Sequence, residues 1–567
     1  MSHISLYRLG EKHLNIRWVP LALLTAVSGT QAVELPSAGS QLQQIPAVPV
    51  PGKQAPDLRI QKSDAPAAGP HAGVQVVVKS LHVVNAHAFP EADLIAATGF
   101  TAGKTVTLED LRGFAAAIAN YYREQGYFLA QAVLPPQDIV NGVVTISVVE
   151  GQYGKIVVRN DSALKDGVAK DLLRGLGTGD TVTIGPLESR LLQLSDLPGV
   201  AVKSTLVPGA SAGASDLIVD IHSAERITGS VDVDDAGNRY TGENRTGATL
   251  NVNDPLGYGD VISLRGLSSW DGMNYGRVAY QLQVHRADVG VAYTALNYRL
   301  GEEFEPLDAH GTAQIASVYG RYPLLRSRAG NLYLQLDIDS KSFHDKIDSA
   351  GVLSDKKVNV GMLSLVGDYH DGFAGGGLGT YSFTWTSGKL EFESAQALTA
   401  DSTTARTEGH YDKFGLTFMR LQRLTQTVSL YAAFQGQLAL QNLDISEKLG
   451  LGGAQSVRAY PEGESYADEG YILNVEGRVQ LPKLAAAIPG LVQAVGFLDT
   501  GTGKLNKAPW TPAENTRTLS GGGFGLNWLG DNSFSIKAYY AHKIGGAIAT
   551  SAPDSDSRVG VSAIKYF

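Results

Sequence analysis

The sequence predicts two small α+β domains followed by an all-β transmembrane barrel of about sixteen antiparallel strands, with one loop folded into the lumen. Three observations predict it. From Ile227 onward, apolar and polar residues alternate with period two through most of the chain. The connections between those runs alternate between tight turns and long loops, as in barrels with short periplasmic turns and long extracellular loops. Before them, one order of strands and helices occurs twice at a spacing of about 75 residues, an internal duplication.

The chain has 567 residues and a net charge of -9 with no basic cluster, so nucleic acid is not an expected partner. It contains no cysteine, which excludes disulfides and thiolate metal sites. Its 65 glycines and 24 tyrosines suit tight turns and interfacial aromatic belts. Arg8, Lys12 and Arg17 precede the apolar run Trp18–Val27, and Thr30-Gln31-Ala32 offers a cleavage site. Residues 1–32 therefore read as a signal peptide, too short in its apolar part to span a bilayer. Residues 33–71 carry Pro36, Pro46, Pro49, Pro51, Pro56, Pro66 and Pro70 and read as an extended linker. Ser37–Ile45 has room for no more than a short helix before Pro46 stops it.

Residues 72–150 form the first expected α+β unit. Val76–Val84 is strand-like, and Glu91–Ala97 and Leu108–Glu124 have helical spacing. Leu111, Phe114, Ala115 and Ile118 share a face of the second helix, which Thr107 caps with Asp110 three residues on. Ala130–Leu134 and Val143–Glu150 close the unit as strands. Residues 151–224 repeat the order: strand Lys155–Arg159, helices Leu164–Leu173 and Pro186–Leu197, strands Val200–Val207 and Asp216–His222.

The run Tyr121-Tyr122-Arg123-Glu124-Gln125-Gly126-Tyr127, with Leu129 and Ala130 just beyond, resembles the second helix and strand entry of a POTRA domain. That resemblance implies a periplasmic module that binds extended, unfolded chains by adding them to a sheet edge. It makes Tyr121, Tyr122, Tyr127, Leu129 and Ala130 candidate partner-binding residues; internal packing is the competing reading for the rings.

Residues 225–567 supply the barrel. Leu332, Leu334, Leu336 and Ile338 alternate with Tyr333, Gln335, Asp337 and Asp339, and Tyr381, Phe383 and Trp385 alternate with Ser382, Thr384 and Thr386. Such runs suit a wall with lipid on one side and a wet lumen on the other. Leu256–Gly259, Arg286–Ala287, Leu421–Leu424 and Asp531 read as tight turns. Asp339–Lys356, Lys389–Glu408, Gln441–Glu469 and Gly503–Arg517 read as long loops. With that parity both barrel ends face the periplasm, where the preceding domains must lie. The chain ends Lys565-Tyr566-Phe567, and a terminal phenylalanine is what barrel-assembly machinery reads.

Three barrel motifs narrow the family. Asn238-Arg239-Tyr240-Thr241-Gly242 and Asn253-Asp254-Pro255-Leu256-Gly257-Tyr258-Gly259-Asp260 frame the first strands. Val457-Arg458-Ala459-Tyr460 lies in the glycine-rich loop 441–469, and Gly496-Phe497-Leu498-Asp499-Thr500-Gly501 lies on a strand. In this order they resemble the two-partner secretion transporters, exporters of haemolysins and filamentous haemagglutinins; Ala459 replaces that family's usual glycine.

The residues alone already suggest a pair. By alternation Asp499 faces inward, and Arg458 offers a planar fork for a carboxylate. The resemblance makes Val457, Arg458 and Tyr460 the loop anchor, and Phe497, Asp499 and Gly501 its partners on the wall. It implies capture of one large unfolded exoprotein (an adhesin, haemolysin or haem/iron-acquisition protein) and its export without nucleotide hydrolysis. It further implies an outer-membrane location in contact with lipid, and a monomer. The family often carries a longer helix ahead of the linker that plugs the pore; Ser37–Ile45 is short for that role. Gly175-Leu176-Gly177-Thr178-Gly179 follows a helix and lacks a following Lys-Ser/Thr, so it reads as a turn. No catalytic set, metal site or cofactor is expected. An outer-membrane protein insertase and a passive porin with periplasmic binding modules are the alternatives.

Overall fold

The computed structural model describes residues 35–46, 57–60, 75–482, 488–531 and 533–567. The expected signal peptide and most of the expected linker lie outside the described residues. Sixteen strands, from Ile227–Asp234 round to Ser557–Tyr566, form a closed barrel. Every neighbouring pair is antiparallel, and the seam runs from Ser230 opposite Tyr566 to Asp234 opposite Ser562. Gly229 and Phe567 extend it by exchanging backbone hydrogen bonds of 2.8 and 3.1 Å. Closure is required by the solvent: an unpaired backbone group facing lipid costs several kcal/mol.

The strands around one side of the barrel are longer than the bilayer needs. Gly330–Ile347 and Val352–Asp371 run through the segment Asp339–Lys356, so the long loop expected there reduces to residues 348–351. The physical reason lies in the outward face of the first of these strands. Leu334, Leu336 and Ile338 are lipid-facing, but Ser340, Ser342, His344 and Lys346 follow at the same period. The strand leaves the membrane there, its outer face turns polar, and the change resembles a loop in sequence. Its inner face stays packed, with Phe343 fully buried. The next expected loop likewise starts later: strand Gly377–Phe392 is followed by the helix Ala395–Thr403.

The first α+β unit has helices Glu91–Thr98 and Leu108–Glu124. The Thr107–Asp110 capping box is formed, with the Thr107 amide donating to Asp110 Oδ2 at 2.7 Å. Its main sheet orders Ser80–Val84, Val143–Val149 and Gln131–Val133 side by side. A strand the periodicity did not reveal, Lys104–Thr107, pairs with Gln75–Val78. The second unit has helices Asp166–Leu172 and Ile184–Asp196, and its sheet contains Gln152–Asp161, Ala214–Ser223 and Val200–Pro208. Residues Asp57–Ile60 add a fourth, parallel strand to that sheet beside Lys203–Leu206. Each unit has its own apolar core, around Ile118 and Ile146 in the first and around Leu187 and Leu217 in the second.

The two remaining apolar clusters lie inside the barrel. One surrounds Phe343, Tyr298 and Ala38; the other surrounds Val457, Phe497 and Tyr460. A lumen lined only by water-facing side chains would have neither. Both exist because two chain segments fold into it.

Candidate functional site: two segments closing the lumen

The first segment is residues 440–468, between strands Val428–Ala439 and Glu469–Gln480. It is a hairpin in its own right: Leu449–Leu451 pairs with Ser465–Ala467. Its tip carries Arg458 against the wall formed by Glu469–Gln480 and Leu491–Lys504. The guanidinium grips Asp499 in bidentate fashion, Nε to Oδ2 at 2.8 Å and Nη2 to Oδ1 at 2.7 Å, while Nη1 donates to Glu476 Oε1 at 2.7 Å. Its plane lies 3.6 Å over the Phe497 ring. The Asp499 side chain is completely buried. Its remaining capacity is used by Asn474 Nδ2 at 2.8 Å and the Arg458 amide at 3.2 Å. A buried carboxylate is stable only when so paired.

The other anchor residues fit around this pair. Val457 is fully buried and faces Gly501, where an added side chain would meet it at 3.2 Å. Tyr460 is buried, and its hydroxyl donates to the Ala547 carbonyl at 3.1 Å. The six expected anchor and wall residues therefore sit in one cluster. Glu476 and Asn474 complete the grip and were not singled out in the sequence. The signal was present: in strand Glu469–Gln480 both share the parity of the buried Ile472, on the inward face. A further contact pins the returning limb. Glu464 is fully buried at its side chain and accepts from Arg517, from the Thr550 amide at 2.9 Å and from the Ser551 amide at 3.1 Å.

The second segment is the helix Ala38–Gln43, in the outer half of the lumen. Six residues do not make a stable helix alone; its surroundings hold it. Ser37 and Ser40 form a capping box, and the Ala38 amide donates to Asp345 Oδ1 at 2.8 Å. At the other end Arg245 Nη1 donates to the Gln44 carbonyl at 2.9 Å. A carboxylate at the amino end and a guanidinium at the carboxyl end complement the helix dipole. Gln43 Nε2 donates to the Ile445 carbonyl and Gln44 Nε2 to the Tyr466 hydroxyl. The fit is incomplete, since Gln41 Nε2 and Gln44 Oε1 are buried with no partner among the described residues.

Two regions of the barrel are thus filled, while the space below the helix is not. Below the helix a cavity of about 350 Å³ remains against the wall, lined by Thr249, Arg265, Arg277, Gln281, Gln335 and Asp337. Two docked segments thus obstruct the barrel above a polar chamber.

The family model for "Haemolysin secretion/activation protein ShlB/FhaC/HecB" matches residues 213–528, more than half of the chain. The chain belongs to this family. A model for the ShlB-type POTRA domain matches residues 76–151 of this secretion transporter. Among its relatives is the heme/hemopexin transporter protein HuxB of Haemophilus influenzae, 28% identical over 77% of this chain and 78% of that protein. The outer membrane transporter CdiB of Dickeya dadantii is 23% identical over 66% of this chain and 67% of its own. The fold is also that of CdiB from Escherichia coli, with a TM-score of 0.69 and 21% identity over 89% of this chain and 92% of that one. The transporter therefore sits in the outer membrane, with its POTRA region in the periplasm.

Within that region the expected partner-binding residues do not form one surface. Tyr122 is fully buried, packs edge-on against Phe89 and Tyr127, and donates its hydroxyl to Glu150 at 2.9 Å. Ala130 is also core, and Leu129 packs against the core of the second unit. These three are structural: Tyr122 completes the apolar face of helix Leu108–Glu124, and Ala130 and Leu129, beyond that helix, pack against the cores of the first and second units. Tyr121 and Tyr127 are only partly covered. Burial opposes charge on Glu150, but the Ala88 and His87 amides and the Tyr122 hydroxyl hold its carboxyl below the usual range. At the outer rim Asp308, His310 and Asp348 converge, a grouping that sequence spacing did not show; Asp308 is already paired with Arg299.

Proposed function

We propose that this transporter captures one large exoprotein, still unfolded, at its periplasmic units and passes it through the barrel once both lumen segments move aside. The observation that carries this reading is the closed state itself. The hairpin is held by a buried ion pair, and the helix by polar contacts that are incomplete; both are reversible and neither is covalent. The exported chain, extended, would cross the polar chamber beside Arg277 and Asp337. Folding outside would bias the direction of transport, so no nucleotide is required.

Capture by strand addition would use the opposite edge of the second unit's sheet, Gln152–Asp161, since residues 57–60 already extend the other. The likeness to a heme/hemopexin transporter favours a haem/iron-acquisition partner over an adhesin or haemolysin. The continuous seam between the first and last strands favours passage through the lumen over sideways release of a membrane protein.

The test is export of the candidate exoprotein by cells carrying Arg458→Ala or Asp499→Asn. Removing one partner of a buried pair costs about 3–5 kcal/mol. We expect export to fall at least severalfold while the barrel still assembles, judged by heat-modifiable migration on gels. Undiminished export by both variants would end this account of the grip.

A further inference from the structure

The ion pair at Arg458 holds the hairpin at its tip, and a second group of buried charges holds it elsewhere in the lumen. The incoming limb of the hairpin makes a single helical turn at Ile445–Glu447. Asp444 caps it, accepting from the Ser446 amide at 3.0 Å and the Ser446 hydroxyl at 2.6 Å. Three lysines converge on this turn from strands Gly330–Ile347, Val352–Asp371 and Gly409–Arg423. Lys341 Nζ lies 2.8 Å from Glu447 Oε1, Lys413 Nζ lies 3.1 Å from Glu447 Oε2, and Lys356 Nζ lies 2.7 Å from Asp444 Oδ2. Lys413 Nζ also donates to the Glu447 carbonyl at 2.6 Å. The Glu447 side chain is 4% exposed, so this is a desolvated network whose loss of a single member leaves uncompensated charge.

The opposite face of the same turn carries the plugging helix. A side chain on Gly39 would sit 2.8 Å from Ser446 Cβ, so only glycine allows this approach. Gln43 Nε2 donates to the Ile445 carbonyl at 2.5 Å. The helix therefore rests on the turn, and the turn is fastened to the wall by the lysines.

We propose that Glu447 and Asp444, with Lys341, Lys413 and Lys356, form a second latch of the hairpin, and that helix 38–43 and turn 445–447 are released from the wall as one body. These are positioning residues; they touch no exported chain in this scheme. The inference rests on the reading of the two segments as closures. Arg458 would then hold the tip on one stretch of wall and the lysines the base on another, so that opening requires both to yield. The helix would follow the hairpin through its seat on this turn and through Gln44 Nε2, which donates to Tyr466 on the returning limb at 2.8 Å.

The test uses the full chain in planar bilayers without any exported protein, so its outcome is independent of what the transporter carries. With folding verified by heat-modifiable migration, Glu447→Gln combined with Asp444→Asn should raise the time spent open by about tenfold, the factor that 1.4 kcal/mol of lost latching produces. Into that chain Gln43→Cys and Ile445→Cys are then introduced, at two residues already in contact; the protein has no other cysteine. Joining that pair with a short, reducible bifunctional thiol reagent should leave the raised opening unchanged, because the joined elements already move together. Two results would overturn the proposal. One is a closed fraction unaltered by neutralising the carboxylates, which would leave Arg458 as a sufficient closure. The other is silencing by the cross-link and recovery on reduction, which would show that the helix leaves without the turn.

Discussion

Ala459 stands where transporters of this kind usually have glycine, and its surroundings explain how alanine is accepted. It is not among the residues with positive φ, so no backbone strain attaches to it. It is fully buried, and the space for its methyl comes from a neighbour: a Cβ built on Gly521 would lie 2.5 Å from Ala459 Cβ. Gly521 is thus the compensating residue for the alanine beside Arg458. Gly521→Ala should overpack the grip by about 1–3 kcal/mol and increase spontaneous openings in a bilayer. Adding Ala459→Gly should restore the closed state, and a double variant as leaky as the single one would refute the pairing. Of the grip itself, Arg458 and Asp499 were legible because alternation fixed one and a motif the other. Phe497 was legible as a wall residue, although its role as a platform under the guanidinium needed the geometry. The Gly521 compensation was not legible, since it joins positions whose proximity only strand register defines.

At the scale of elements, helices with strong periodicity and caps appear where the sequence places them, as Leu108–Glu124 does to the residue. Strands failed where solvent changed along their length: the apolar signal of Gly330–Ile347 ends at Ile338, while hydrogen bonding to Val352–Asp371 continues. The docking of helix 38–43 was illegible for another reason. Its partner Asp345 lies 307 residues away, and six residues carry too little periodicity to announce a binding face. The first periplasmic unit allows a test of one element junction. Glu150 joins the end of strand Val143–Val149 to the loop before helix Glu91–Thr98 through His87 and Ala88. Its carboxyl is held below the usual range, so its contribution is present at neutral pH and is lost as pH falls through the lowered value. Amide protection across 143–149, corrected for the intrinsic slowing of exchange in acid, should fall as pH drops through that value in the native transporter. Glu150→Gln should exchange faster at neutral pH and show a flatter dependence; an unchanged pH profile in that variant would assign the effect to other groups.

For the whole molecule, the decisive relation is between the second periplasmic unit and the open side of the lumen. Helix Ile184–Asp196 lies under the periplasmic turns, with Arg326 bound to Asp196 at 2.7 and 2.9 Å and Arg328 to Glu188 at 3.1 Å. Arg286 Nε donates to Gln193 Oε1 at 3.0 Å, and Lys165 stacks on the Tyr258 ring at 3.4 Å. These turns follow the strands that line the polar chamber, so the unit is fixed beneath the unobstructed part of the barrel rather than beneath the hairpin. The contacts are largely ionic and partly exposed, worth little individually and weakened by salt. Such an interface orients a domain without committing it to one position, which suits a unit that must hand over a chain and then reset. Arg326→Glu would place like charges together at its centre. We expect capture of the exported chain at the periplasmic units to persist, measured by pull-down with the purified transporter, while export falls severalfold. If capture and export fell in parallel, the contact would be needed for folding of the unit. If both were unchanged, the placement of this unit beneath the chamber would have no part in transfer.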